Sequence, residues 1–153
     1  PATATLQYTI NGVSAQKTIM RQSFGGGVAP MNVSDLWYRA SENGWGINIA
    51  QHGDTLFAVW YTYGSDGKTR WLVMPGGSWA GNAYSGALYK TVSSPWLGVP
   101  YNPAQLQVTQ VGTLTLTFGD IVNGVANSAT MRYTVDDGNS VVDQTKSITR
   151  QPY

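Results

Sequence analysis

The side chains best suited to acid–base chemistry are few and lie close together in the chain. Glu42 is the only glutamate, His52 is the only histidine, and Asp54 follows His52 by two positions. A glycosidase needs two carboxyl groups about 5 to 9.5 Å apart. Glu42 and Asp54 flank a strand-like run, residues 45–51, which would separate them by about 20 Å at about 3.3 Å per residue. These two carboxylates are therefore not expected to form a catalytic pair.

Glu42 is expected at the same rim of the sheet as Asp66, and the two form a candidate acid pair for a hydrolase. The alternative is that Glu42 binds Arg39 or backbone amides of the glycine-rich turn, and that Asp66 is a turn residue. The sequence has no nucleophile elbow, zinc-ligand spacing or phosphate-binding loop. We therefore favour a protein that is not an enzyme, and no cofactor is predicted.

Metal binding has only weak candidates. The chain has no cysteine and one histidine, which leaves little for a transition metal. An acidic turn near the C-terminus could offer oxygen ligands to Ca²⁺. Its candidate ligands are Asp136, Asp137, Asn139 and Asp143. Their spacing is not that of an EF-hand, and turns are rich in Asp and Asn, so no metal site is predicted.

Three strand-like runs, residues 45–51, 55–63 and 68–74, organise the middle of the chain. Gly53-Asp54 suits a two-residue type II′ hairpin, and Ser65-Asp66-Gly67 suits a type I turn with a G1 bulge. These turns predict a register, because the turn type sets which residues face each other. The predicted pairs are Gln51 with Leu56, Ile49 with Ala58, Ile47 with Trp60, Tyr61 with Trp71, and Trp60 with Leu72.

The predicted register divides this meander into two faces. One face is apolar and is expected to form core. The other combines a small floor, two polar groups and a row of aromatic rings, which suits a sugar or another small amphipathic ligand. The ligand-binding residues predicted on this face are Asn48, His52, Tyr61, Tyr63 and Trp71. The alternative is that both faces are buried, since aromatic stripes usually serve packing.

Trp79 and Trp96 add two candidates to the predicted ligand site. Both lie in short strands or loops beside Gly, Ser or Pro residues. An aromatic ring in a loop is harder to explain as core than one in a strand, so these rings are expected to contribute to stacking. The alternative is that they form a lid over one end of a barrel.

The remaining pattern predicts an all-β fold. Residues 112–118 alternate cleanly between apolar and Thr positions, which is typical of a half-exposed strand. No 3.6-residue apolar period is sustained, so no helix is required. We predict an antiparallel up-and-down meander of about nine or ten short strands, forming a barrel or a sandwich.

The two ends of the chain resemble each other. Residues 4–10 match residues 129–135, and residues 16–22 match residues 145–151. Residues 4–10 and 16–22 flank one turn, and residues 129–135 and 145–151 flank another. The Asn11-Gly12 pair in the first turn is a strong hairpin signal.

Two interpretations of the duplication stay open. Residues 1–24 could be the last hairpin of a preceding repeat, packed on a single β domain of residues 25–153. Alternatively, one compact domain uses both hairpins as symmetric flanks of its sheet. The first interpretation explains why the similarity extends to Lys, Arg and Gln, and it makes neighbouring repeat domains expected partners.

The amino-acid composition limits the classes of partner and the cellular location that we expect. Charged residues make up 11% of the 153 residues and the net charge is +1, so nucleic acid is a poor partner. No run approaches the 18 apolar residues of a membrane span. Thr, Ser, Gly, Asn and Tyr replace the charges, which indicates an extracellular or cell-surface protein, with the periplasm as the alternative.

The segment Glu42–Tyr63 carries a more specific resemblance. Its E-x-G-W-G, Q-x-G-D-T-L-F and W-x-x-Y patterns resemble an uncharacterised secreted or surface β module of proteobacteria. The C-terminal hairpin is similar to part of the same module. A weaker similarity links the Trp- and Tyr-rich meanders to avidin- and lipocalin-like barrels. The resemblance implies location and modularity.

The leading hypothesis is therefore a secreted, non-catalytic module that recognises carbohydrate or a similar small amphipathic ligand through aromatic side chains. The rival hypothesis is a structural or adhesive repeat unit of a larger surface protein, without a small-molecule site. A glycoside hydrolase-like enzyme is third.

Overall fold

The computed structural model describes residues 2–92 and 99–151. The chain divides into two compact units, one of residues 1–23 with 91–108 and the other of residues 24–90 with 109–153. Among the residues described, no helix has the length and apolar character needed to cross a membrane.

Strands dominate the described part of the chain. They are β1 (Thr3–Ile10), β2 (Val13–Met20), β3 (Asp35–Tyr38), β4 (Gly46–His52), β5 (Thr55–Tyr63), β6 (Thr69–Met74), β7 (Ser78–Ala80), β8 (Ala83–Val92), β9 (Gln107–Val122), β10 (Val125–Asp136) and β11 (Val141–Arg150). A single 3₁₀ turn, Pro103–Gln105, is the only helical element in these ranges. The all-β prediction is confirmed, with eleven strands described where about nine or ten were expected.

Eight of the strands form a closed antiparallel barrel. Its neighbours run in the order β6-β5-β4-β3-β11-β10-β9-β8, and Val73 of β6 pairs with Tyr89 of β8 to close the ring. The short strand β7 pairs only with β8 and lies outside the ring. Among the eight barrel strands, strands that follow each other in the chain are neighbours in the sheet, so the barrel is up-and-down. A barrel was one of the two architectures predicted.

The register of the central meander agrees with the prediction at every predicted pair. Gly53 has a φ of +56° in its two-residue turn, and Gly67 has a φ of +71° at the bulge position. The Gly64 N–H donates to the Lys68 carbonyl, which closes the longer turn. Glycine adopts these left-handed backbone conformations without the steric cost that other residues incur.

Alternation along the strands sends one side chain in two into the barrel. The buried set comes from all eight strands and from the segment preceding β3. It comprises Met31, Val33, Trp37, Ile47, Ile49, Leu56, Ala58, Trp60, Leu72, Met74, Tyr84, Leu88, Leu114, Leu116, Phe118, Ala126, Ala129, Met131, Tyr133 and Ile148. The apolar face of the meander is thus core, as predicted.

Arg150, near the end of β11, holds several segments together at one end of the barrel. Its guanidinium donates to the carbonyl oxygens of Ser34 (2.6 Å), Asn32 (3.0 Å) and Ala126 (2.8 Å). It also pairs with Asp35 at 2.9 Å, and its side chain is 14% exposed. These bonds join β3 and the segment before it to β10 and β11.

We expect Arg150→Met to lower the free energy of unfolding of the barrel by about 3 kcal/mol, since it removes three hydrogen bonds to backbone carbonyls, two of them part-buried, and the ion pair with Asp35. Arg132→Met is the matched control, because Arg132 is 67% exposed and meets Asp143 at 3.5 Å. The control should change stability by less than about 1 kcal/mol. Urea denaturation measures both, and equal effects would contradict the role given to Arg150.

The N-terminal unit contains a separate two-stranded sheet. Strands β1 and β2 pair from Thr3 with Met20 to Ile10 with Val13. Asn11 and Gly12 both have positive φ in the turn between them, as a type I′ hairpin requires. The hairpin predicted from the Asn-Gly signal is confirmed.

Candidate functional site

Three aromatic rings lie side by side on the outside of the barrel. Tyr61 pairs directly with Trp71 across β5 and β6, and Tyr63 is the next residue on the same face of β5. Cross-strand neighbours hold their Cβ atoms about 5 Å apart. Tyr61 and Tyr63 are each 51% exposed and Trp71 is 56% exposed. We call these three residues the outer aromatic ridge.

The other two predicted residues of this face lie on β4, at different distances from the ridge. Asn48 pairs with Val59, two positions before Tyr61, and His52 pairs with Thr55, six positions before Tyr61. At about 3.3 Å per residue, His52 is roughly 20 Å from the ridge along the strand. His52 is therefore separated from the ridge, whereas Asn48 borders it beside Tyr61.

His52 packs against Phe24, unlike the exposed rings of the ridge. The two rings stack with centroids 4.3 Å apart and planes 6° from parallel. Phe57, from the same outer face, is also near Phe24, at 6.2 Å between centroids. The segment before β3 thus covers this end of the face, as the packing alternative expected, and leaves the ridge end open.

Trp79 occupies the position that the lid alternative describes. Its ring packs edge-on against Tyr84 at 5.1 Å and is tilted over Phe118 at 5.8 Å between centroids. Its indole N–H donates to the Asp54 carbonyl at 2.8 Å. The ring is therefore partly buried against the core, where an exposed stacking residue was expected. Trp96 lies outside the described residues.

Glu42 is surrounded by donors. Its carboxylate accepts from the Lys146 ammonium at 2.6 Å and from the Trp45 indole at 3.0 Å, and it lies 3.3 Å from Arg39. The hydrogen bond from Lys146 is the main cause of a lowered pKa at Glu42. The contact with Arg39 confirms the alternative raised from the sequence.

Asp66 is a turn residue, as its own alternative predicted. It accepts a hydrogen bond from the Lys68 backbone N–H at 3.1 Å and lies 3.5 Å from Arg70. The bond from Lys68 is the main cause of its lowered pKa. A glycosidase acid needs a raised pKa. The pKa values of Glu42 and Asp66 are both lowered, and both carboxylates accept hydrogen bonds from neighbouring donors, which suits structural roles better than that of a general acid.

A cavity of about 270 Å³ opens at the end of the barrel where β5, β8 and β10 finish. Apolar and aromatic side chains share its wall with polar and charged side chains. It is lined by Trp60, Thr62, Tyr63, Gly64, Ser65, Arg70, Leu72, Lys90, Val111, Tyr133, Val135, Asp136, Asp137, Ser140 and Val142. We call it the mouth cavity. The sequence did not predict this cavity, because every residue expected to point into the barrel was assigned to the packed core.

Asp137 connects two loops at the mouth cavity. Its carboxylate accepts from the Ser65 N–H (3.1 Å) on the β5–β6 turn and from the N–H groups of Asn139 (2.9 Å) and Ser140 (3.0 Å). Arg70 approaches it at 3.8 Å. Hydrogen bonds, led by the one from the Ser65 side chain, hold the pKa of Asp137 well below its usual range. The ionised carboxylate therefore fixes the rim.

The side chains of all four weak metal candidates contact other groups of the protein. Asp136 accepts from Gly138, Asp137 accepts from Asn139 and Ser140, the Asn139 side chain donates to Ser65, and Asp143 meets Arg132. Within residues 2–92 and 99–151, no group of three His, Cys, Asp or Glu side chains could hold a metal ion.

Comparison of the chain with protein-family models, curated proteins and solved structures finds no match. The resemblance to a proteobacterial surface module therefore stays a prediction.

The lowered pKa of Asp137 makes a prediction about acid stability. A carboxylate whose pKa is lowered by folding stabilises the folded state above its unfolded pKa of about 3.9, and this contribution is lost as the pH falls towards the folded pKa. Asp137→Asn should therefore be less stable than the native chain at pH 7, and the difference should shrink progressively below about pH 4.

Urea denaturation midpoints at pH 7 and pH 2 measure this difference. Asp143→Asn is the control, because Asp143 is 56% exposed and forms an exposed ion pair with Arg132 at 3.5 Å. Exposed pairs contribute little to stability, so this substitution should change the midpoint only slightly at pH 7. A stability difference for Asp137→Asn that stays constant across this range would rule out the proposed carboxylate contribution.

Proposed function

We propose that this chain is a non-catalytic binding module whose outer aromatic ridge stacks against carbohydrate or a chemically similar ligand. The observation that carries the proposal is the exposure of Tyr61, Tyr63 and Trp71, each more than half accessible, on adjacent strands. Exposed apolar patches formed by neighbouring large side chains often mark binding sites on soluble proteins.

The ridge has the features that sugar recognition needs. A pyranose presents a C–H face, which packs on aromatic rings, and hydroxyl groups around its edge, which need polar partners. The ridge offers an indole face beside two phenol hydroxyl groups, and the exposed Thr69 pairs with Tyr63 across the strands. Because the rings stand on paired strands, little backbone freedom is lost when a ligand binds.

Two further considerations support a binding role over catalysis and an extracytoplasmic location. The candidate acids Glu42 and Asp66 both have lowered pKa values, which suits ion pairs and turn bonds. The low share of charged residues, 11%, supports an extracellular or cell-surface protein.

The first test measures binding by isothermal titration against a panel of soluble glycans. For any glycan that binds, Trp71→Ala and Tyr61→Ala should each raise Kd by about tenfold, the usual loss when a central aromatic contact is truncated. Tyr101→Ala is the matched control, because Tyr101 is 61% exposed but belongs to the other unit. It should leave Kd unchanged.

Unaltered affinity in both ridge variants for every glycan that binds would exclude the ridge as the site. Equal losses in the ridge variants and the Tyr101 control would point to a general effect on the protein.

The mouth cavity favours a second candidate function, the binding of a small amphipathic anion. The apolar part of its wall suits a hydrocarbon chain, and Lys90, which also lines it, has no ion-pair partner among the described residues. The Trp60 indole N–H in the same wall is buried without a hydrogen-bond partner in the described structure. A ligand acceptor near this indole would offset the cost of the unmet donor.

Octanoate and octan-1-ol test this candidate, because they share a chain and differ in charge. Lys90→Met should weaken octanoate binding by about fivefold, as expected for one partly exposed ion pair, and leave octan-1-ol binding unchanged. Lys68→Met is the control, since Lys68 is exposed and does not line the cavity. Equal weakening of both ligands, or no binding of either by titration calorimetry, would refute the candidate.

A further inference from the structure

The N-terminal hairpin, β1–β2, and the closing hairpin of the barrel, β10–β11, pair their strands in the same register. Residues that correspond in sequence also face corresponding partners in both sheets. The equivalent pairs are Ala4–Ile19 and Ala129–Ile148, Leu6–Lys17 and Met131–Lys146, and Tyr8–Ala15 and Tyr133–Gln144. The two hairpins therefore present corresponding side chains on corresponding faces.

The apolar side chains of these faces have opposite environments in the two hairpins. Leu6 is 45% exposed, whereas its counterpart Met131 is fully buried in the barrel. Ile19 is 46% exposed, whereas its counterpart Ile148 is 1% exposed. Strands β1 and β2 thus carry the inward pattern of a barrel without enclosing a core of their own.

The charged residues of the hairpin show the same mismatch. Arg21 corresponds to Arg150, which binds three carbonyls and Asp35, and Lys17 corresponds to Lys146, which pairs with Glu42 at 2.6 Å. In the described part of the chain, neither Arg21 nor Lys17 has an ion pair or a side-chain hydrogen bond. Neither charge therefore has, in the described chain, the role that its counterpart has in the barrel.

We propose that β1–β2 is the closing hairpin of a second barrel built on the plan of this one. Its partner is a module that supplies equivalents of β3 to β9, with an aspartate in the place of Asp35 for Arg21 and a glutamate in the place of Glu42 for Lys17. Leu6 and Ile19 then complete the core of that module. This interaction does not depend on any ligand of the outer aromatic ridge or the mouth cavity.

A fusion that extends the full chain tests the proposal. Residues 24–125 are placed ahead of residue 1, so that β1 follows a second copy of β9 through the turn that normally leads to β10. Backbone hydrogen exchange is compared between this fusion and the 153-residue chain. The amides of Leu6 and Ile19 should exchange roughly a hundredfold more slowly in the fusion, because the hairpin becomes part of a cooperative barrel.

A second fusion, with the same added residues but without residues 1–23, should leave the added segment unprotected. In the first fusion, Ile19→Asp should abolish the new protection, because its counterpart Ile148 is buried. Thr18→Asp should not, because its counterpart Ser147 is exposed. Arg21→Met should lower the stability of the added barrel.

Three results would overturn the proposal. The first is exchange at Leu6 and Ile19 that is unchanged by the added residues. The second is equal protection of the added residues with and without the hairpin. The third is equal loss of protection in Ile19→Asp and Thr18→Asp, which would show that the hairpin face does not enter a core.

Discussion

In a closed barrel each strand side chain points either into the core or to the outer surface, and both the core and the outer aromatic ridge depend on this alternation. The pairing of Val73 with Tyr89 closes the ring, so each strand places alternate residues in the core and on the outer surface. Trp60 and Leu72 must therefore point inward together, and Tyr61 and Trp71 must point outward together. A shift of one residue in the β5–β6 register would bury the ridge and expose the core.

The two ends of the barrel differ in how they are closed. At one end, Met31 and Val33 enter the core, and Arg150 bonds to the backbone around them, so the segment before β3 acts as a plug. At the other end, Asp137 joins the β5–β6 turn to the β10–β11 turn, and residues of both turns line the mouth cavity. The protein thus has two candidate ligand sites, the outer aromatic ridge and the mouth cavity, and binding at either is a proposal.

The sequence predicted those features that depend on neighbouring residues. Turn glycines and strict alternation were enough to place the meander pairs and the exposed ridge face, because hairpin register is a local property. The features it missed join residues that are distant in the chain. The ion pair of Glu42 with Lys146, the plug before β3 and the packing of Trp79 on Phe118 all depend on barrel closure. The mouth cavity was missed for the same reason. Alternation predicts which side chains point into the barrel, but it does not predict where those side chains leave a space unfilled.

Ligand binding at the outer aromatic ridge can be measured directly through tryptophan, because each indole N–H gives its own signal in a proton–nitrogen correlation spectrum. Trp71 stands on the ridge, whereas Trp37 and Trp60 are 1% and 5% exposed in the core. Titration with glycans, after assignment of the indole signals, should produce a saturable shift at Trp71 while Trp37 and Trp60 stay in place. A saturable shift confined to the other indoles, or no saturable shift with any glycan, would contradict ligand binding at the outer aromatic ridge.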